Sequence, residues 1–283
     1  MKQVGKDGEV YDGVNVRMEI REGSLWPREE YMIMLDALFD KTEARSAMQF
    51  TNPVGLGRIA VTSFALGGLG AAHLVGLAWS FSYSSSGATL TRAWCAYFVA
   101  LCFYHMSEFI TTARYNAPIV AWESFLLNQS KAYQIALVAS WVEFWLEVLV
   151  VPGLKSSALS QLIMFIGVVL VLVGQSFRTG AMVEAGSNFT HIIQTEKSSS
   201  HKLVTTGLYS IVRHPSYFGW FWWSIGTQLL MCNPICAAGY AYAAWMFFNT
   251  RIPFEEDRLI KFFPDEYPAY RRKTPIGIPF IEA

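Results

Sequence analysis

The sequence carries little charge. Only 16% of its 283 residues are Asp, Glu, Lys or Arg, and the formal net charge at pH 7 is zero, whereas charged residues make up about 25% of soluble domains. Without a basic excess the chain has no electrostatic footprint for nucleic acid, and no basic groove with stacking aromatic residues occurs. A glycine-rich strand–helix turn is absent too. These absences argue against a nucleic-acid-binding protein and against a soluble-type nucleotide fold.

Cysteine is scarce as well. Cys95, Cys102, Cys232 and Cys236 all lie in apolar surroundings, where buried free thiols are common. The pair Cys232 and Cys236 flanks a tight turn without a nearby His or acid, so we predict no metal site. The N-terminus has no short apolar run followed by a small-residue cleavage site, and we therefore expect no cleaved signal peptide.

Apolar and aromatic residues are abundant, at 53% and 15% of the chain. Several apolar stretches approach the ~20 residues needed to cross a bilayer. We therefore predict an all-α fold, a polytopic integral membrane helical bundle with six spans. The predicted spans are Leu56–Phe81, Ala93–Thr112, Ala132–Val151, Leu159–Gly174, Tyr217–Met231 and Ile235–Phe248.

Three regions follow from this pattern. Residues 1–55 are a polar N-terminal segment, in which Ser24 to Phe50 has the spacing of an amphipathic, interfacial helix. Residues 56–176 hold about four spans. Residues 177–283 hold a polar loop, the transmembrane hairpin 217–248 and a C-terminal tail, and in this region we place the chemistry.

Basic residues predict the orientation. Cytoplasmic loops collect Lys and Arg, and with six spans and a cytosolic N-terminus only Arg92 and Lys155 fall on the other side. Both termini are then cytosolic. The hairpin brings Arg251 and Glu255 back beside His214 and Tyr217, so the predicted site faces the cytosol.

The polar residues after position 190 form a specific ordered set. Its members are Gln194, His201-Lys202-Leu203-Val204, Tyr209, Arg213-His214-Pro215-Ser216-Tyr217, Arg251, Glu255-Glu256, and the pair Tyr267 and Tyr270. This set resembles the isoprenylcysteine carboxyl methyltransferases, most closely the animal members, and the likeness extends from about residue 92. The family has eight spans, including two before the matched region, but the first 50 residues here are too polar to supply them.

The resemblance implies an enzyme of the endoplasmic reticulum membrane. Its cofactor would be S-adenosylmethionine, with S-adenosylhomocysteine as product and no metal. Its substrate would be the C-terminal carboxylate of S-prenylated cysteine in proteins such as small GTPases. By the same resemblance the cofactor-binding residues are Gln194, His201, Lys202, Leu203, Val204, Tyr209, His214, Pro215, Ser216, Tyr217 and Glu255.

This chemistry suits the charged residues present. A C-terminal carboxylate has a pKa near 3.5, so it is already a nucleophile at neutral pH and needs no general base. Alignment of donor and acceptor becomes the main demand. Arg251 is our first choice to grip the carboxylate in a bidentate manner, and Arg178 is a second candidate, for carboxylate binding or for shaping the site. Glu255 is our choice for the ammonium group of the cofactor. As ordinary alternatives, Arg178 would be a snorkelling membrane anchor and Arg251 with Glu255 an exposed ion pair.

Two other function classes stay open from the residues alone. The Arg-His-Pro element also occurs loosely in sterol reductases, which would use NADPH, and a polytopic chain can be a non-enzymatic scaffold or transporter. Within the spans, His105, Glu108, Glu143 and Glu147 are expected to pair between helices. Trp220, Trp222 and Trp223 are expected in the aromatic belt at the membrane interface.

Overall fold

A computed structural model describes residues 3–4, 10–11, 55–151, 153–194, 196–197 and 201–282. The chain divides into two units, Met1–Ala47 and Met48–Ala283. In the first unit Gln3–Val4 (β1) pairs with Val10–Tyr11 (β2) in an antiparallel ladder. The amphipathic helix predicted over residues 24–50 lies outside the described residues.

The described residues of the second unit form seven α-helices joined by short 3₁₀ turns and loops. These helices are α1 Leu56–Trp79, α2 Ser86–Tyr115, α3 Lys131–Val150, α4 Ala158–Ala185, α5 Pro215–Leu230, α6 Pro234–Phe262 and α7 Tyr267–Lys273. The helical fold class predicted from the sequence is confirmed for this unit.

Four helical segments are long and apolar enough to cross a membrane. They are Leu56–Ser82, Ser86–Tyr115, Lys131–Val150 and Ala158–Asn188, and they match the first four predicted spans. The fourth continues well beyond the predicted end at Gly174, because the Gln175 amide is buried and donates to Ser107 Oγ of α2 at 2.9 Å. A polar residue there continues the helix instead of ending it.

The last two predicted spans form the expected helical hairpin, but they are not among the four segments that qualify by length and composition. Helix α5 has 16 residues, about 24 Å at 1.5 Å per residue, which is shorter than a hydrocarbon core of ~30 Å. Helix α6 runs through Pro253 to Phe262, 14 residues past the predicted end at Phe248. Arg251 and Glu255 therefore lie on this helix and not in a tail that follows it.

Glycines bring α4 and α5 into backbone contact. A Cβ atom on Gly174 would lie 2.5 Å from the Trp223 nitrogen, and one on Gly219 would lie 2.4 Å from the Arg178 nitrogen. No side chain fits at such a distance, so these two positions require glycine. Close approach through small residues is a common way for helices to associate in lipid. Here it places Arg178 of α4 beside the first turn of α5.

The apolar side chains of these helices fall into two groups, one buried between helices and one exposed on their outer faces. One buried cluster joins α2, α3, α4 and α5, and it includes Trp223, whose ring stacks on Tyr104 at 4.4 Å between centroids. Trp223 therefore belongs to the core, and its assignment to the aromatic belt was wrong. Many other apolar side chains, such as Phe64 and Leu149, are exposed on α1 and α3, as expected for helices that face lipid.

A second buried cluster joins the hairpin to the end of the chain. Ile276, Ile278 and Ile281 pack with α5 and α6 side chains such as Phe221 and Phe248. The backbone N–H of Arg213 donates to the Pro275 carbonyl at 2.9 Å. The segment after α7 is thus packed against the hairpin.

Candidate functional site

A cavity of about 160 Å³ lies where the hairpin meets the end of α4 and the segments around α7. All eleven residues predicted to bind a cofactor line it: Gln194, His201, Lys202, Leu203, Val204, Tyr209, His214, Pro215, Ser216, Tyr217 and Glu255. Residues up to 61 positions apart in sequence, Gln194 and Glu255, are thus brought to one space. Their roles toward a ligand stay a prediction, and neither Arg178 nor Arg251 is among the lining residues.

The start of α5 forms one wall of the cavity. His214 is the N-cap residue and Pro215 is the first residue of the helix, a position that proline suits because its fixed backbone angle is that of a helix. The His214 ring stacks on Tyr217 with an interplanar angle of 3°. Its Nε2 atom lies 3.0 Å from Glu256 Oε1, so the ring is fixed from both sides.

Arg251 and Glu255 do not bond each other directly, although they are one turn apart on α6. Tyr217 links them, because it accepts a hydrogen bond from Arg251 Nε at 2.9 Å and donates one to Glu255 Oε2. Arg251 Nη2 also donates to the His191 carbonyl at 2.7 Å. Within the described part of the chain Arg251 Nη1 has no hydrogen-bond partner, so one end of the guanidinium stays available beside the cavity.

Arg178 has a different environment. Its side chain is 5% exposed, and Nε and Nη2 donate to the two oxygens of Glu108 at 2.6 and 3.0 Å. Its Nη1 donates to Ser216 Oγ at 2.6 Å. The alternative of a snorkelling anchor is therefore wrong. The paired edge that would grip a carboxylate is already occupied by Glu108, which favours shaping of the site over binding of the carboxylate. The role of Arg178 toward a ligand stays a prediction.

Glu108 connects the two arginines. Its Oε2 atom also lies 2.8 Å from His191 Nε2, and the carbonyl of the same His191 holds Arg251. Glu108 is 1% exposed, and a buried carboxylate requires such partners because its desolvation is costly. The predicted pairing of Glu108 between helices is confirmed. His105 pairs between helices too, with Tyr133 Oη 3.1 Å from its Nε2.

Glu256, next to the cavity-lining Glu255, links α6 to the residues just before α5 and to α7. Its carboxylate accepts from Arg213 Nε at 2.5 Å and from Arg271 Nε at 3.3 Å, in addition to His214. Burial alone would raise the pKa of Glu256, but the hydrogen bonds and charges of His214 and Arg213 outweigh it and lower the pKa from 4.5 to about 2. Glu256 is therefore ionised at neutral pH and has a structural role.

The loop before α5 is fixed by Glu184 and by tyrosines. Glu184 Oε2 accepts from the Leu208 N–H at 2.7 Å, and its carboxylate lies so close to Gly207, at a φ of +56°, that a Cβ atom there would clash. Tyr270 Oη donates to the Tyr209 carbonyl at 2.5 Å. Burial, together with the Glu255 carboxylate, raises the pKa of Tyr209, so its hydroxyl stays protonated at neutral pH.

The arrangement fits an S-adenosyl cofactor. Glu255 offers a carboxylate for a cationic amino group, and Phe262 and Phe263 line the cavity with apolar rings beside the polar groups. The buried hydroxyl of Tyr267, another lining residue, has no hydrogen-bond partner in the described part of the chain. Sequence reasoning missed the contributions of His191, Glu256 and Tyr267. The last two were present in the motif but had been given no role.

Comparisons with known proteins agree with this picture. The sequence model of the isoprenylcysteine carboxyl methyltransferase (ICMT) family matches residues 166–261. Protein-S-isoprenylcysteine O-methyltransferase of Xenopus laevis is 50% identical over 186 residues, which cover 66% of this chain and 64% of the relative. Enzyme B of that name from Arabidopsis thaliana is 41% identical over 185 residues, which cover 65% of this chain and 91% of the relative.

The fold has a solved counterpart as well. The structure of a eukaryotic intramembrane Ras methyltransferase, an isoprenylcysteine carboxyl methyltransferase, superposes with a TM-score of 0.69 at 34% identity and covers 89% of this chain and 91% of that chain. The matched part of this chain spans about 64% of the length of its vertebrate relatives. From this coverage and identity, the chain belongs to the isoprenylcysteine carboxyl methyltransferase family.

Proposed function

We propose that this membrane protein transfers a methyl group from S-adenosylmethionine to the C-terminal α-carboxylate of S-prenylated cysteine in proteins such as small GTPases. The observation that carries the proposal is the convergence of all eleven predicted cofactor residues on one cavity, in a chain of this family. The alternatives of an NADPH-dependent sterol reductase and of a scaffold or transporter lose support, because neither accounts for this residue set.

The reaction requires little acid–base chemistry from the protein. The cofactor, when bound, supplies a methyl group on a positively charged sulfur. The acceptor carboxylate is ionised at neutral pH, so no residue has to remove a proton. The residues of the site must instead hold the two reactants in line and exclude water. Buried and half-buried groups such as Ser216 and Tyr217 are fixed by their neighbours, which favours such alignment.

Arg251 is the residue proposed to hold the acceptor carboxylate. Its Nε and Nη2 are fixed by Tyr217 and His191, which orients the remaining donors. Phe247 lies beneath its guanidinium at 5.6 Å and is 50% exposed. An exposed apolar side chain therefore lies beside Arg251, and this surrounding suits a prenyl chain attached to the acceptor.

We place the site on the cytosolic side of the endoplasmic reticulum membrane. Asn128-Gln129-Ser130 and Asn188-Phe189-Thr190 both match the glycosylation pattern and lie on the cavity side in this orientation. Asn128 is exposed, so only its location protects it. Expression in microsomes followed by glycosidase treatment should give no mass shift. A shift that is lost in Asn128→Gln would reverse the orientation.

The activity is tested with the full chain in nanodiscs. We expect base-labile incorporation of labelled methyl groups from S-adenosylmethionine into N-acetyl-S-farnesylcysteine, and none into its methyl ester. S-adenosylhomocysteine should raise the melting temperature, because a ligand stabilises only the fold that binds it, whereas NADPH should not. Stabilisation by NADPH alone, without methyl transfer, would contradict the proposal.

A further inference from the structure

Tyr267 has an unusual position in the cavity wall. It is the first residue of α7, its side chain is 1% exposed, and it lines the cavity. Its hydroxyl has no hydrogen-bond partner in the described part of the chain. Folded proteins rarely leave a buried hydroxyl unpaired, because it has given up its bonds to water without replacement. Such a group in the wall of a ligand cavity requires an explanation.

The unpaired hydroxyl is not the result of a loosely placed helix. The Tyr267 N–H donates to the Phe263 carbonyl at 2.9 Å. One turn later, Tyr270 anchors the same helix through its bond to the Tyr209 carbonyl. The two tyrosine rings contact each other edge to face, with centroids 5.9 Å apart. The ring of Tyr267 is thus held in place, while its buried hydroxyl has no hydrogen-bond partner in the described part of the chain.

The chemical state of this hydroxyl is also defined. Burial, with the nearby Glu256 carboxylate, raises the pKa of Tyr267, so the group is a protonated donor at neutral pH. Glu255, which lines the same cavity, influences its ionisation as well. The neighbouring Tyr270 already uses its hydroxyl inside the protein. Of this tyrosine pair, Tyr267 is the member that has a donor left for a ligand.

We propose that the Tyr267 hydroxyl donates a hydrogen bond to an oxygen of the S-adenosyl cofactor, on its ribose or its aminoacyl part. This inference rests on the proposed function and extends it to a residue without an assigned role. Because the side chain is already ordered, binding costs little further side-chain entropy. Tyr267 therefore contributes to affinity for the cofactor and not to the stability of the ligand-free fold.

Tyr267→Phe tests this directly, because it removes one oxygen and keeps the ring. The dissociation constant for S-adenosylhomocysteine, measured by calorimetry on the full chain, should rise about threefold to tenfold. The melting temperature without ligand should stay the same or rise, since an unpaired buried hydroxyl has been removed. Tyr104→Phe is the matched control: Tyr104 is also 1% exposed, and it lies in α2 and does not line the cavity.

Each outcome decides the proposal. Weaker binding in Tyr267→Phe with unchanged binding in Tyr104→Phe supports it. Repeating the titration with methylthioadenosine, which lacks the aminoacyl part, then assigns the contact to ribose if the loss persists and to the aminoacyl part if it disappears. Unchanged affinity in Tyr267→Phe, or a fall in its ligand-free melting temperature, would overturn the proposal. Failure of the unmodified protein to bind S-adenosylhomocysteine would instead contradict the proposed function.

Discussion

Both ends of the α5–α6 hairpin have cationic and acidic side chains nearby, but these side chains have different roles at the two ends. At the turn end, Lys155 donates to Glu147 Oε2, to the Met231 and Cys232 carbonyls and to Asn233 Oδ1, at 2.6 to 3.1 Å. At the cavity end, Glu255 and Tyr267 line the cavity, and Arg251 Nη1 has no hydrogen-bond partner in the described part of the chain. A buried charge whose bonds are all made within the protein stabilises the fold, whereas one with bonds left over is available to a ligand.

Charged side chains at the turn end also compensate the partial charges at the C-terminus of α5 and the N-terminus of α6. Glu143 accepts from the Ile235 and Cys236 N–H groups, both at 2.7 Å, and a carboxylate at a helix N-terminus is favourable. Lys155 serves the carbonyls that end α5 in the same way. Glu143 of α3 therefore bonds to another helix, as predicted, whereas Glu147 pairs with Lys155 of the turn that follows α3, so its predicted pairing between helices was wrong.

Lys155→Met should be the most damaging change. It leaves Glu147 and the Met231 and Cys232 carbonyls without their cation. Breaking a buried pair in this way costs about 3–5 kcal/mol. We expect a large fall in the melting temperature in detergent. The affinity of the surviving folded protein for S-adenosylhomocysteine should be almost unchanged. The exposed Lys261 of α6 is the control, and Lys261→Met should be neutral. Equal effects of the two variants would contradict the role of the turn end.

Glu255→Gln should act at the other end. Removing the counter-charge of an ammonium group should cost about 1.5–3 kcal/mol of cofactor binding and little of prenylcysteine binding. Separate equilibrium titrations of the two ligands measure this. Asp257→Asn is the matched control, because Asp257 is exposed and does not line the cavity. Unchanged cofactor affinity in Glu255→Gln would refute the assignment.

Arg251→Lys should separate the two arginines. Lysine keeps the charge but loses the planar fork, so turnover of a minimal prenylated cysteine should fall about tenfold or more, which corresponds to about 1.4 kcal/mol of lost alignment. Fold and cofactor affinity should survive. Arg178→Lys should affect turnover less and thermal stability more, because it breaks the bidentate pair with Glu108. Near-normal turnover in Arg251→Lys with a large loss in Arg178→Lys would reverse the two roles.

Acid should weaken the cavity end through Glu256. A carboxyl with a lowered pKa stabilises the fold fully above its ordinary value of 4.5, and this contribution is lost as the pH falls toward about 2. The difference in melting temperature between the unmodified protein and Glu256→Gln should therefore be constant near neutral pH and narrow below about pH 4.5. A difference independent of pH would show that the charge of Glu256 does not matter.

Sequence patterns predicted the helices well where the local sequence alone determines the helix. Apolar runs predicted the first four spans. Patterns failed where tertiary packing overrides a local signal. Pro253 normally interrupts a helix, yet α6 continues through it to Phe262. The fourth span was predicted to reach Gly174, but α4 continues to Ala185, and the Gln175 amide donates to Ser107 of α2.

The residues that line the candidate site could be predicted from the sequence, but the contacts between them could not. The ordered motif identified the cavity-lining residues, because those side chains face one space. It could not reveal that Glu108 occupies the guanidinium edge of Arg178. His191 was missed since it holds Arg251 through a backbone carbonyl, and any residue type supplies that group. Such links depend on the tertiary fold and leave no pattern in the sequence.

The packing of the chain after α7 against the hairpin has a consequence for biosynthesis. Glu108 and Arg178 can neutralise each other as soon as α4 has been made, so their charges need not wait unpaired in the bilayer. The cavity, however, needs Tyr267, which follows Arg178 by ~90 residues, or roughly 5 to 18 s of translation at typical rates. Ile281, in the cluster that supports the hairpin, is made later still. The membrane bundle can therefore form on the ribosome before the protein is able to bind a cofactor.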